Sequence, residues 1–168
     1  MELREHFAAA FGSAPQFVVH APGRINLLGE HVDYNDGAVL PAAIDRAVHL
    51  AVAPQPGGLV TLSALDLGKQ ASFELEALDE PGSPKGRRLP NWVKYPAGVA
   101  WALRQAGLAV GGMKAAYTSD VPIGAGLSSS AAVEVAFAAA WRELGGWQVD
   151  NLQLARLCQL GAHGKAET

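Results

Sequence analysis

The sequence predicts an α+β domain with a partly antiparallel sheet packed against helices. Three observations carry this reading. Valine- and leucine-rich runs and helical patterns follow one another without the strict alternation that a parallel βαβ array needs. The runs Ala47–Ala53 and Leu59–Leu65 are separated by Pro54-Gln55-Pro56-Gly57-Gly58, a strong turn signal. Leu127–Leu144 is almost continuous alanine, valine and phenylalanine, a helix buried on most sides.

The elements follow in order. Leu3, Phe7, Ala10 and Phe11 recur at helical spacing, which predicts a helix over 2–12 stopped by Gly12. Gln16–His20 is a valine-rich strand closed by Ala21-Pro22-Gly23, and Ala47–Ala53, Leu59–Leu65 and Ala71–Leu75 are three more. The stretch Asp79–Pro90 is a polar loop whose Lys85, Arg87 and Arg88 read as solvated. Trp92–Ala106 is helical despite Pro96, with Trp92, Val99 and Leu103 on one side. Met113–Thr118 is a strand, and Asp150–Leu160 a final helix with Asp150 as its cap.

Composition excludes several function classes. The 168 residues suffice for one domain with a core, and 49% hydrophobic against 17% charged argues against long disordered tracts. Lys+Arg 13 against Asp+Glu 16 leaves a net charge of −3, so neither nucleic acid nor an anionic membrane is an expected partner. The single cysteine, Cys158, rules out an internal disulfide and a zinc site built on paired cysteines, and fits a reducing, cytoplasmic compartment. It lies in an apolar helical run and reads as a core thiol. Acids at Glu2 and Glu5, followed by the short apolar run Phe7–Phe11, do not make an export signal or a membrane span. His6, His20, His49 and His163 show no partner pattern and are expected to be structural or exposed. The sequence does not give the oligomeric state; a monomer is the expectation.

Two glycine-framed segments carry chemistry. The first, Pro22 to Gly37, packs Arg24, Asn26, Glu30, His31 and Asp33 between glycines. Carboxylates accept hydrogen bonds from hydroxyls, arginine presents fixed donors, and His31 does either, a mix that suits a polyhydroxylated small molecule. A solvated turn holding an internal Arg24–Glu30 pair is the plainer alternative, but the density of polar groups favours function. The second segment is Val121-Pro122-Ile123-Gly124-Ala125-Gly126-Leu127-Ser128-Ser129-Ser130-Ala131-Ala132. Gly124 and Gly126 permit close backbone approach and positive φ, and Ser128 to Ser130 open the helix, whose free N–H groups suit a phosphate. No Gly-Lys-Ser/Thr follows, so it is not a Walker loop. Serine capping of an ordinary helix accounts for the serines but not for both glycines.

Together the two segments resemble the galactokinases of the GHMP kinase superfamily. Gly23-Arg24-Ile25-Asn26-Leu27-Leu28-Gly29-Glu30-His31-Val32-Asp33-Tyr34-Asn35 is similar to the galactokinase signature, and Pro122 to Ala131 to the superfamily's phosphate-binding motif. Trp92, Tyr95 and Gly98 resemble the family's Trp-x-x-Tyr-x-x-Gly helix. The resemblance runs from about Phe17 to about Cys158. It implies a GHMP-kinase N-terminal domain (ribosomal protein S5 domain 2-like) over 1–168, and transfer of the γ-phosphate of ATP to the anomeric hydroxyl of D-galactose with Mg²⁺. By position, Arg24 would stabilise the transferring phosphoryl group, and Glu30, His31, Val32 and Asp33 would hold galactose. Gly124, Ala125, Gly126, Leu127, Ser128, Ser129 and Ser130 would wrap the ATP phosphates, with Ser130 on the magnesium. Trp92 would lie near adenine, and Ser63 would be a further nucleotide contact.

The chain departs from the family pattern at its end. The resemblance implies a catalytic aspartate in a Cys-Gly-Ile-Met-Asp-Gln-like segment, a magnesium-binding glutamate after Cys158-Gln159 and a C-terminal domain. The sequence instead runs Gly161-Ala162-His163-Gly164-Lys165-Ala166-Glu167-Thr168. The expectation is a truncated chain that transfers phosphate poorly by itself. A non-catalytic galactose and ATP sensor, a kinase for a related sugar and a gene remnant are the alternatives.

Overall fold

The computed structural model describes residues 2–29, 38–80, 83–84, 89–122 and 126–163. Helix α1 (Leu3–Phe11) ends at Gly12, whose φ of 70° and N–H to the Ala8 carbonyl make a left-handed cap. Strands β1 (Phe17–Leu28), β2 (Leu40–Pro54), β3 (Leu59–Ala64), β4 (Lys69–Glu74) and β7 (Met113–Ser119) form one sheet in the order β1-β2-β7-β3-β4. A small pair, β5 (Leu78–Glu80) and β6 (Ser83–Pro84), precedes α2 (Asn91–Gln105); α3 (Ser129–Gly145) and α4 (Asn151–His163) follow β7. The β3–β7 pairing is parallel; β1–β2, β2–β7 and β3–β4 are antiparallel. The mixed sheet packed against helices is the α+β arrangement that the sequence predicts.

Strand alternation sorts the sheet into two faces. Val48, Leu50 and Val52 of β2 join Val60 and Leu62 of β3 and Met113, Ala115 and Tyr117 of β7 in a core completed by α2, α3 and α4. The opposite face offers Ala51 and Ala116 to Phe7 of α1.

One boundary departs far from expectation. β1 does not stop at Ala21-Pro22-Gly23; it continues to Leu28, and β2 correspondingly begins at Leu40 rather than Ala47. β1 lies at the edge of the sheet, where a proline without an N–H sacrifices no ladder bond on its outer side. The register slips between Pro22 and Arg24, so a bulge absorbs Gly23 and the strand resumes.

The helices are placed by small residues and specific bonds. Pro96 lies inside α2, where an interior proline costs about 3 kcal/mol; burial of Val93, Ala97, Ala100 and Leu103 on the same helix overrides it. A Cβ on Gly98 would collide with the Gly161 carbonyl, and one on Gly161 would come within 2.7 Å of the Gly98 carbonyl. α2 and α4 therefore cross backbone to backbone. Asp150 caps α4, its Oδ1 accepting the Gln153 N–H at 2.8 Å. On α3, the Trp141 indole N–H donates to the Gly111 carbonyl at 3.0 Å. No helix among the described residues is long and apolar enough to cross a membrane.

Glu134 is the exception in this core. It is 6% exposed on α3, and burial pushes its carboxyl up to about 7. Cys158 of α4 carries the complementary effect: burial first, then the Glu134 charge, pushes the thiol up to about 12, as befits a core thiol.

Two predictions follow from this packing. Gly98→Ala gains about 1 kcal/mol of helix propensity but overpacks a backbone contact that cannot yield, so a net loss of about 1–3 kcal/mol is expected in urea unfolding. An unchanged midpoint would show that the helices part freely. For Glu134, the folded carboxyl binds its proton more tightly than the unfolded one, with a pKa near 7 against 4.5. Its contribution is therefore most favourable below the unfolded value and is lost as pH rises from there through about 7. Glu134→Gln should remove that loss, worth at most about 3 kcal/mol, so its melting temperature should fall less between pH 5 and pH 8 than the wild type's.

Candidate functional site

The two glycine-framed segments meet. The backbone N–H of Arg24 on β1 donates to the carbonyl of Leu127, just before α3, at 3.1 Å. Gly23 makes that approach possible: a Cβ there would lie 2.9 Å from the Leu127 carbonyl oxygen, 3.1 Å from Ile44 Cδ1 and 3.2 Å from Val121 Cγ1. The bulge in β1 thus turns one residue without a side chain toward the loop that precedes α3.

Beside this junction lies a cleft of about 360 Å³ between β1, the start of β2 and the first turns of α3. Arg24, Ala43, Ser128, Ala131 and Val135 are among its walls. Arg24 is exposed, and its guanidinium makes no hydrogen bond or ion pair among the described residues. The internal Arg24–Glu30 pair is not described, because Glu30 is not among those residues.

The entry into α3 is conformationally unusual. Gly126 has φ 71°, as expected of a glycine in this loop, with open space where a Cβ would stand. Ser128 also lies in the left-handed region, φ 56° and ψ 40°, and its side chain does not cap the helix. A non-glycine residue there costs about 1–2 kcal/mol, and such strain concentrates at ligand-binding positions. The first helical bond runs from the Ala132 N–H to the Ser128 carbonyl at 3.0 Å. The N–H groups of Ser129, Ser130 and Ala131 therefore have no acceptor among the described residues and stand at the positive end of the helix dipole.

Trp92 opens α2 half-buried, its ring centroid 6.1 Å from Tyr117, which meets Phe137 of α3 edge-on at 5.9 Å. An aromatic chain thus runs from the start of α2 across β7 into α3. Burial, with the Asp66 charge adding to it, holds the Tyr117 phenol well above its ordinary range, so it stays neutral.

The cleft gathers Arg24 and Ser128, with Leu127 bonded at its edge. It does not gather Ser63, expected as a nucleotide contact: that residue is 2% exposed on β3, its hydroxyl 2.9 Å from His6 Nε2 of α1. Strand alternation turns Ser63 to the α1 face while Leu62 and Ala64 face the other helices. Glu30, His31, Val32, Asp33, Gly124 and Ala125 lie outside the described residues. The first four belong to the β1–β2 connection, whose ends close on each other: Leu28 pairs with Leu40, and Gly29, at φ 89°, has no room for a Cβ against the Ala38 carbonyl. The buried Glu134 had no functional signal in the sequence beyond interrupting an apolar run.

Comparison with known proteins agrees with this geometry. Residues 5–54 match the galactokinase galactose-binding signature, and residues 94–167 match the GHMP kinases N terminal domain. The galactokinase of Streptomyces coelicolor is 45% identical over 92% of this chain and 39% of its own length. That of Roseiflexus sp. is 43% identical over 94% of this chain, again 39% of its own length. The crystal structure of Lactococcus lactis galactokinase complexed with galactose superposes with a TM-score of 0.83 at 31% identity, covering 95% of this chain and 41% of that one. Methanococcus jannaschii mevalonate kinase shares the fold, with a TM-score of 0.71 at 21% identity. The chain spans about two-fifths of the length of the galactokinases it matches. With both motifs joined through Gly23 and Leu127 and both family models matched, the chain belongs to the GHMP kinase superfamily and carries the N-terminal domain of its galactokinase branch.

Proposed function

We propose that this chain forms the sugar- and nucleotide-binding part of a galactokinase, which transfers the γ-phosphoryl group of ATP to the anomeric hydroxyl of D-galactose. The observation that carries the reading is the Arg24 N–H to Leu127 carbonyl bond, which sets the start of the sugar-type segment against the phosphate-type segment at one cleft. Phosphoryl transfer depends on positioning and charge stabilisation, and the two segments supply residues for both.

In this reading Glu30, His31, Val32 and Asp33 hold galactose, the carboxylates accepting from its hydroxyls. Gly124 to Ser130 wrap the ATP phosphates, with the N–H groups of Ser129 and Ser130 donating to phosphate oxygens. Arg24 stabilises the charge on the transferring group, and Trp92 lies beside the adenine. Ser63, buried against His6, has no part.

The donor set suits Mg²⁺. The Ser128 hydroxyl is not spent on capping, the Ser130 hydroxyl is a hard oxygen donor, and no cluster of three or more acidic, histidine or cysteine residues among the described residues forms a protein cage. Magnesium is commonly held by one or two protein oxygens together with phosphates and water, and Ser130 would hold it here. When bound, it supplies neutralisation of phosphate charge.

Gly23→Ala should force the Leu127 carbonyl away and weaken binding of ATP with Mg²⁺ by roughly tenfold, because misplacement of the loop loses several phosphate bonds at once. Binding of the nucleotide as tight as in the wild type would contradict the shared cleft. Asp33→Asn should weaken galactose binding by about tenfold or more, the value of a charged hydrogen bond, in a titration followed by tryptophan fluorescence. Undiminished galactose binding would remove the sugar-holding role.

A further inference from the structure

On the face of the sheet that carries α1, two histidines without any partner pattern in the sequence meet. His20 of β1 stands opposite His49 of β2 in the ladder, two residues along from Val18 and Ala51, which pack beneath α1. Their Nδ1 atoms are 2.7 Å apart, and the rings meet edge-on with centroids at 4.7 Å.

The surroundings orient this pair. Asp120, just after β7, accepts the Ala47 N–H through Oδ1 at 2.6 Å, and Arg46 Nη1 lies 3.7 Å from its Oδ2. The same Oδ1 lies 3.9 Å from His49 Nε2. The Asp120 carboxylate thus places a negative charge facing that nitrogen. It favours the tautomer of His49 with its proton on Nε2, which leaves the Nδ1 lone pair turned toward His20. Two Nδ1 atoms this close share one hydrogen between two lone pairs. A cation that accepts both lone pairs satisfies the pair more fully.

We propose that His20 and His49 form a di-histidine site for a transition-metal dication, Cu²⁺ foremost, with Asp120 as the carboxylate that orients His49. The donor set favours Cu²⁺, which stands at the top of the divalent series for imidazole nitrogen. Two nitrogens each about 2.05 Å from a metal lie about 2.9 Å apart at a right angle and about 3.3 Å apart at the tetrahedral angle. The observed 2.7 Å is the length of an N–H···N hydrogen bond, and opening it to the right-angled spacing takes less movement than opening it to the tetrahedral one. On binding, each ring swings away from the N···N line so that both lone pairs converge on the ion, and the hydrogen once shared at Nδ1 passes through solvent to His20 Nε2. Both rings remain neutral. Among the described residues no third histidine, cysteine or carboxylate joins as a ligand, so water completes the coordination. A carboxylate behind a metal-ligating histidine is the usual outer-shell arrangement. Imidazole nitrogen is a poor ligand for Mg²⁺, so this site is chemically separate from the cleft on the opposite face.

The test is calorimetric titration of the purified chain with CuCl₂, NiCl₂ and ZnCl₂, together with electron paramagnetic resonance of the Cu²⁺ form. One Cu²⁺ per chain with two-nitrogen ligation is expected, binding more tightly than Zn²⁺. His20→Ala, His20→Gln and His49→Ala should each weaken Cu²⁺ by at least about tenfold, and Asp120→Asn by up to about tenfold. Melting curves without metal identify any variant that fails to fold, and the Gln variant preserves a polar side chain at the strand edge. No saturable Cu²⁺ binding, equal affinity in the folded His20 and His49 variants, or binding that follows His6, His31 or His163 instead would overturn the site.

Discussion

The contact on which the site depends is a single backbone hydrogen bond, from the Arg24 N–H to the Leu127 carbonyl, made possible by the missing side chain of Gly23. It joins an edge strand to the loop that opens α3, two parts of the chain about a hundred residues apart. Any side chain at position 23 would meet a backbone oxygen, an isoleucine and a valine simultaneously. The bulge in β1 is the local device that presents that glycine without ending the strand. Arg24 and the α3 terminus then line the same cleft because the backbone holds them there, before any side chain contributes.

The energetically unfavourable features gather near α3, while strand pairing among the described residues is irregular only at β1–β2 and β5–β6. Ser128 occupies a left-handed conformation, the first N–H groups of the helix have no acceptor among the described residues, and Glu134 brings a carboxyl into an apolar interface. Each is costly in isolation. They persist because Ala132, Ala136, Phe137, Ala140 and Trp141 anchor the helix against the sheet and against α2 and α4. Such a division between a packed scaffold and a strained helix entrance is what phosphate binding through backbone N–H groups calls for.

Much of this was legible in residue order. The helix over Leu3–Phe11, strand β7, the Asp150 cap and the buried character of α3 follow from spacing, capping chemistry and apolar content. Both motif segments stood out by their glycine and polar density. The long β1–β2 pair was not legible, because Pro22-Gly23 is a breaker in most settings and only a position at the sheet edge makes it harmless. The placement of Ser63 against α1 rather than at the cleft was hidden for a related reason: a serine in a strand gives no sign of which layer its face will meet.

What the amino-acid order determined alone is therefore local: where helices start and stop, which runs are apolar, and which two segments resemble sugar- and phosphate-binding motifs. Periodicity and caps act within a few residues, so they are written directly in the chain. Tertiary structure alone decided the strand order, the Gly98–Gly161 crossing, the meeting of Gly23 with Leu127 and the pairing of His20 with His49. Each of these brings together residues distant in sequence, and their contact depends on strand register and layer stacking, which no local pattern specifies.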